Sequence, residues 1–264
     1  MGKYIFNFGG GSAEGGADQK DLLGGKGANL SEMANLGLSV PAGFTISTEC
    51  CNDYFKSDGN YPEGLAEEVN AAMARVEEIM GMKYGDPENP LLVSCRSGAR
   101  KSMPGMMETV LNVGLAPATL PGLINRTGDE WFVYDAYRRL IMMYADVVME
   151  KAEGIEPAEG EEIKAQLEEI MEQWKRQKNY ASDTDFSVDE VKSMSLVFYG
   201  FVVFGNSTVP TRRIPIPGTP YLIQSFWLGF GSRFFWPQNP VKLTFQAFDE
   251  FIRTQRTAGM LMLS

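Results

Sequence analysis

The 264-residue sequence contains no histidine. That absence excludes an imidazole general base, a Ser-His-Asp triad, a phosphohistidine and any zinc site that uses histidine. Cysteine is scarce, with Cys50, Cys51 and Cys95 the three present. Three thiols, two of them adjacent in sequence, suit neither a self-contained metal cluster nor a secreted disulfide scaffold, and they read as structural or incidental groups. Long apolar runs are missing, and the start Met1-Gly2-Lys3-Tyr4 lacks the layout of a secretion signal. Excess positive charge is missing too. A net charge of −10 argues against a general binder of nucleic-acid backbones. The expectation is a cytoplasmic protein without membrane or nucleic-acid partners. Only a local basic loop has room for a nucleotide.

What is present divides near residue 194. Up to Met194 there are 18 Lys+Arg against 32 Asp+Glu, and from Ser195 onward 6 against 2. Aromatics number 16 in the first 194 residues and 14 in the last 70, so the change is one of kind and not only of charge. The later part holds Phe198-Tyr199-Gly200-Phe201, Phe226-Trp227-Leu228-Gly229-Phe230 and Phe234-Phe235-Trp236-Pro237, punctuated by Pro210, Pro215, Pro217 and Pro220. Neither helical nor alternating periodicity persists there, so residues 195–264 read as an irregular tail.

The first part is regular. A short helix is expected from about Ala28 to Leu36, closed by Gly37 as a left-handed cap, with a strand at Phe44-Thr45-Ile46. Leu65, Val69, Met73, Val76 and Met80 recur at three- and four-residue spacing, the mark of an amphipathic helix, and Gly81 ends it. Leu91 to Cys95 and Met106 to Leu111 read as strands. Trp131 to Val148 and Glu161 to Lys178 read as helices, and Ser187-Val188-Asp189-Glu190 has capping-box spacing for another. The fold class is α+β: residues 1–112 as an α+β subdomain, 113–194 as a mainly helical one, and 195–264 as the tail.

Two loops carry the chemistry. In Leu22-Leu23-Gly24-Gly25-Lys26-Gly27-Ala28-Asn29, glycines flank a lysine, so backbone can approach a ligand while the ammonium supplies charge for phosphate. A following helix adds N-terminal amides. It is not the common P-loop, because Lys20 stands in the glycine slot and Gly27 follows Lys26. By spacing alone, such a Gly-Lys-Gly stretch is more often a plain turn. In Arg96-Ser97-Gly98-Ala99-Arg100-Lys101-Ser102-Met103-Pro104-Gly105, three cations, two hydroxyls and two glycines follow an apolar strand. Arg96 at a strand end has a planar fork suited to bidentate phosphate contact, and Ser102 and Gly105 belong to a segment able to fold over an oligophosphate. A solvated basic turn is the alternative. Met103, Met106 and Met107 are candidates for an adenine pocket or for core filling. The Glu67-Glu68, Glu77-Glu78, Glu161-Glu162 and Glu168-Glu169 pairs read as solvated helix faces, and Tyr134, Tyr137 and Tyr144 as core. Arg138 and Arg139 could reach a phosphate or an acidic neighbour.

Leu22–Leu30, Val40–Phe44 and above all Val93–Asn112, with its Ser-Met-Pro-Gly-Met-Met run at 102–107, resemble the N-terminal nucleotide-binding domain of the pyruvate, phosphate dikinase family. Tyr134–Arg139 and Met143–Met149 continue the likeness, which covers roughly residues 3 to 192. The resemblance implies the first part of an ATP-grasp type domain with a helical inserted subdomain. It implies ATP with Mg2+ as the cofactor, and an overall reaction of ATP, pyruvate and phosphate to AMP, phosphoenolpyruvate and pyrophosphate. It puts Lys26 and Arg96 on the phosphates and the Ser102–Gly105 segment over them. The family's carrier histidine, acidic metal ligands and pyruvate site have no counterpart in this sequence. The chain is therefore expected to bind ATP without completing the reaction, with pyruvate and phosphate as partners only of domains missing here. A frameshift near residue 194 would account for the change in composition. Another ATP-dependent phosphotransferase of the phosphoenolpyruvate synthase type and a non-catalytic nucleotide- or partner-binding module are the alternatives.

Overall fold

The computed structural model describes residues 2–99, 109–150, 162–204 and 258–263. Strand β1 (Ile5–Gly9) turns into the short β2 (Ser12–Ala13), and helix α1 (Lys20–Asn35) leads to β3 (Gly43–Ile46). Helices α2 (Thr48–Lys56) and α3 (Leu65–Met80) follow, then a small parallel pair, β4 (Lys83–Tyr84) with β5 (Pro90–Leu91). Strands β6 (Val93–Ala99) and β7 (Thr109–Val113) pair antiparallel. Helix α4 (Leu120–Thr127) precedes α5 (Glu130–Tyr144), which a π-helical turn (Ala145–Glu150) extends. Helices α6 (Ile163–Lys178) and α7 (Val188–Phe204) and strand β8 (Ala258–Leu263) complete the described chain. The class is α+β. The main sheet has the order β2-β1-β3-β8-β6-β7, and every neighbouring pair in it is antiparallel.

Both faces of the sheet are covered, which is why all four residues of β3 are buried. Phe44 and Ile46 join a large apolar cluster with Val69 and Val76 of α3, Tyr137 and Leu140 of α5, and Phe198 of α7. On the opposite face Phe6 meets Leu23 and Ala28 of α1, and Phe8 meets Ala34. The large cluster runs from Ile5 to Val202 and crosses both proposed subdomains.

Local signals set several helix ends as the sequence predicts. Gly81 closes α3 in the left-handed region at φ 65°. After α1, the Gly37 N–H donates to the Ala34 carbonyl at 3.0 Å and Leu38 to Met33 at 3.0 Å, a paired motif that satisfies two end carbonyls. At the start of α7 the Ser187 N–H donates to Glu190 Oε2 at 2.8 Å, and the Glu190 N–H to Ser187 Oγ at 3.4 Å.

Other expectations need correcting. The irregular tail is regular where it is described: α7 runs through residue 194 to Phe204, and 258–263 is a sheet strand. Val191, Met194, Ser195, Phe198 and Val202 are all buried, a 3.6-residue stripe that the flanking aromatics obscure. The predicted glycine loop around Lys26 lies inside α1. Helix α2 was not foreseen, although Ser47 caps it by accepting a hydrogen bond from the Cys50 N–H at 3.3 Å. No helix among the described residues is long and apolar enough to cross a membrane.

Candidate functional site

Lys26 and Arg96 approach each other on the α1 side of the sheet. Helix α1 is interrupted at Gly24, whose φ of 68° and ψ of 166° are accessible essentially to glycine alone. The helix restarts after the break, so the amides near Lys26 occupy the first turn of a new segment and lack helical acceptors. Gly27 then sits against β3. A Cβ there would lie 2.8 Å from Thr45 Oγ1 and 2.9 Å from Thr45 Cγ2, closer than packing allows. The missing side chain is what lets this turn touch the sheet.

The sheet register brings Arg96 to the same row. Phe6 pairs with Thr45, Thr45 with Leu261, and Leu261 with Arg96. Cross-strand partners share a face, so Arg96 stands on the side that Gly27 and Lys26 approach. Electrostatics agrees. Burial, and after it the positive charge of Arg96, holds the Lys26 ammonium below the usual lysine value. The Arg96 Nε is buried without a hydrogen-bond partner. Among the described residues neither cation forms an ion pair. Two converging, half-buried cations with no carboxylate partner among the described residues are chemically suited to an anion between them, because each raises the cost of the other.

Ser102, Gly105, Met103, Met106 and Met107 lie outside the described residues. Arg138 and Arg139 reach acidic neighbours: Arg138 is 4% exposed and bonds Asp135 at 2.5 Å and Asp183 at 3.4 Å, while Arg139 bonds Asp135 at 2.6 Å. The Asp135-x-x-Arg138-Arg139 spacing on one helix carried that signal already. Lys175 completes the group by pairing with Asp183 at 2.5 Å. Glu68 and Glu77 are more than solvated faces, for Glu68 accepts from the Tyr4 and Ile5 amides at 3.2 and 3.1 Å and Glu77 from the Tyr84 amide at 2.9 Å. The three cysteines are buried and unbridged, and burial pushes the Cys50 and Cys95 thiols up to about 12, which suits inert structural groups.

The family model described as the pyruvate phosphate dikinase AMP/ATP-binding domain matches residues 20–63, a stretch that includes Lys26, Gly27 and Thr45. The pyruvate, phosphate dikinase of Rhizobium meliloti is 41% identical over 246 residues, 93% of this chain and 25% of that protein. That of Clostridium symbiosum is 42% identical over 198 residues, 75% of this chain and 21% of its own length. The chain is homologous to the N-terminal part of pyruvate, phosphate dikinases. The chloroplastic enzyme 1 of Oryza sativa agrees, at 46% identity over 192 residues, 73% of this chain and 19% of its length. The chain thus spans about a quarter or less of the curated relatives it matches. The Rhizobium match also extends past residue 194, where the sequence changes composition.

Proposed function

We propose that this chain binds ATP through its phosphates, with Lys26 and Arg96 as the gripping cations, and serves as the nucleotide-binding part of a dikinase. The observation that carries the reading is the convergence of two cations without ion-pair partners among the described residues beside a helix break, with Lys26 and that break inside the stretch that matches an AMP/ATP-binding domain. Arg96 offers two parallel N–H bonds to one phosphate, Lys26 a point charge to its neighbour, and the amides after Gly24 complete the cradle. Ser102 and Gly105 are assigned to the segment that closes over the phosphates. The domain is read as the first part of an ATP-grasp type unit acting in the cytoplasm.

The proposed reaction context is the conversion of ATP, pyruvate and phosphate to AMP, phosphoenolpyruvate and pyrophosphate. Phosphoryl transfer relies on positioning and charge neutralisation, and Lys26 and Arg96 supply part of both. With no histidine in these 264 residues, a phosphoryl carrier of that kind must come from another segment. Among the described residues no group of three acidic or thiol side chains is arranged to hold a metal, and in this reading magnesium accompanies the nucleotide.

Thermal unfolding of the 264-residue chain with Mg-ATP tests this reading. The midpoint should rise with nucleotide concentration, and the rise should vanish in Arg96→Ala and shrink in Lys26→Met. An unchanged rise in both variants overturns the assignment. Pyruvate-dependent AMP formation by the purified chain would overturn its dependence on other segments.

A further inference from the structure

Strand β8 occupies the middle of the main sheet, yet residues 205–257 separate it in sequence from α7. It pairs on both edges. Gly43, Phe44, Thr45 and Ile46 of β3 stand opposite Leu263, Met262, Leu261 and Met260. The six residues Ser94 to Ala99 of β6 stand opposite Leu263 to Ala258. No pairing joins β3 to β6 directly, so without β8 the sheet falls into a β2-β1-β3 half and a β6-β7 half. Each half would then present an open edge beside buried apolar groups: Phe44 and Ile46 on one side, Cys95 on the other.

We propose that the gap between β3 and β6 is a strand-acceptor site whose occupant is segment 258–263 of this chain, and that this strand sets the distance between Arg96 and the α1 side of the sheet. Position 261 is the bridge, in register with Thr45 on one edge and Arg96 on the other. Thr45 is in turn the residue against which Gly27 packs. Lys26 rides on that helix. Register transmits the placement: a slip of one residue would turn every β6 side chain relative to β3 and move Arg96 to the opposite face. A strand with neighbours on both sides uses all its amides and carbonyls, so its hold resides largely in the backbone and tolerates apolar exchange but not proline.

Hydrogen exchange on the intact chain without nucleotide tests strand insertion independently of ATP binding. Amides of 259–263 should exchange roughly a hundredfold or more slowly than in an unstructured peptide, together with those of 44–46 and 94–97. Exchange of 259–263 at the unstructured rate, with 44–46 still protected, overturns the proposal. Leu261→Pro should lower the thermal midpoint by roughly 5–10 °C and deprotect β3 and β6 together, while Leu261→Val leaves both nearly unchanged. An unaltered midpoint in Leu261→Pro also overturns it. The link to Arg96 rests on the phosphate reading above. If Leu261→Pro deprotects the strands and the wild-type chain shows no ATP response, the strand-acceptor site stands and the phosphate reading falls.

Discussion

Two groups of cations in this protein stand in different settings. Between α5, α6 and the turn before α7, Arg138, Arg139 and Lys175 are matched by Asp135, Asp183 and Glu172. Between α1 and β6, Lys26 and Arg96 face each other with no acid among the described residues to pair them. The first group is internally complete, so it serves packing. On the reading proposed above, the second is completed by an anion. Partnership, rather than burial or residue type, separates a structural cation from a binding one.

The sharpest way to break this comparison is to unpair the matched group. Asp135→Ala leaves the buried Arg138 only its longer contact to Asp183 and should cost about 3 kcal/mol in urea unfolding. Adding Arg138→Met should recover much of that, because the buried charge goes with its partner. Failure to recover would mean the cluster contributes more than neutralisation.

Next in size are the α1 glycines. Gly27→Ala drives a methyl against Thr45 and should cost about 1–3 kcal/mol even though alanine favours helix. A Cβ at Gly25 meets nothing within 4 Å, so Gly25→Ala should be neutral or stabilise by up to about 1 kcal/mol. If both substitutions behaved alike, the close approach at Gly27 would not be real.

Acid titration comes third. Burial opposes ionisation of Asp183, but the hydrogen bond from Lys175 and the nearby Arg138 outweigh it and hold the carboxyl below the usual range. A carboxyl lowered in the folded state stabilises fully above its unfolded value, near pH 3.9, and loses that contribution as pH falls through the folded value. Asp183→Asn should therefore flatten the acid limb of the stability profile and cost about 1 kcal/mol at neutral pH. Lys175 behaves as the mirror case. Hydrogen bonds to Asp183 and Glu172 raise it, so its contribution persists below its unfolded value and fades as pH climbs through the folded one.

The smallest stability change is expected at the unmatched pair. Lys26 is lowered by burial and by Arg96, so its charge opposes folding until pH rises through its folded value toward the unfolded one. Arg96→Ala and Lys26→Met should change the free energy of urea unfolding by no more than about 0.5 kcal/mol, and in the stabilising direction if at all, while changing the response to Mg-ATP. A large loss of stability in either would move these residues into the structural group.

Much of the helical framework was legible because its signals are local. The α3 stripe ending at Gly81, the Gly37 cap and the Ser187–Glu190 reciprocal bonds each involve residues within one or two turns. The candidate site was half legible. Residue type and glycine spacing singled out Lys26 and Arg96, but the helix break at Gly24 that shapes their surroundings looked like an ordinary loop. The run from Ser195 to Phe204 was hidden because its outward positions are apolar too, as at the exposed Leu196, which erases the contrast that periodicity depends on.

The sequence by itself determined which groups this protein carries: glycine-flanked cations, no imidazole, and helices whose ends are written in adjacent residues. Tertiary structure alone decided which cations find an acidic partner among the described residues, because pairing with Asp183 or facing Arg96 spans tens of residues of chain. It also decided that 258–263 fills the sheet between β3 and β6. Strand pairing is a contact between distant segments, and a short apolar run carries no mark of the neighbours it will join.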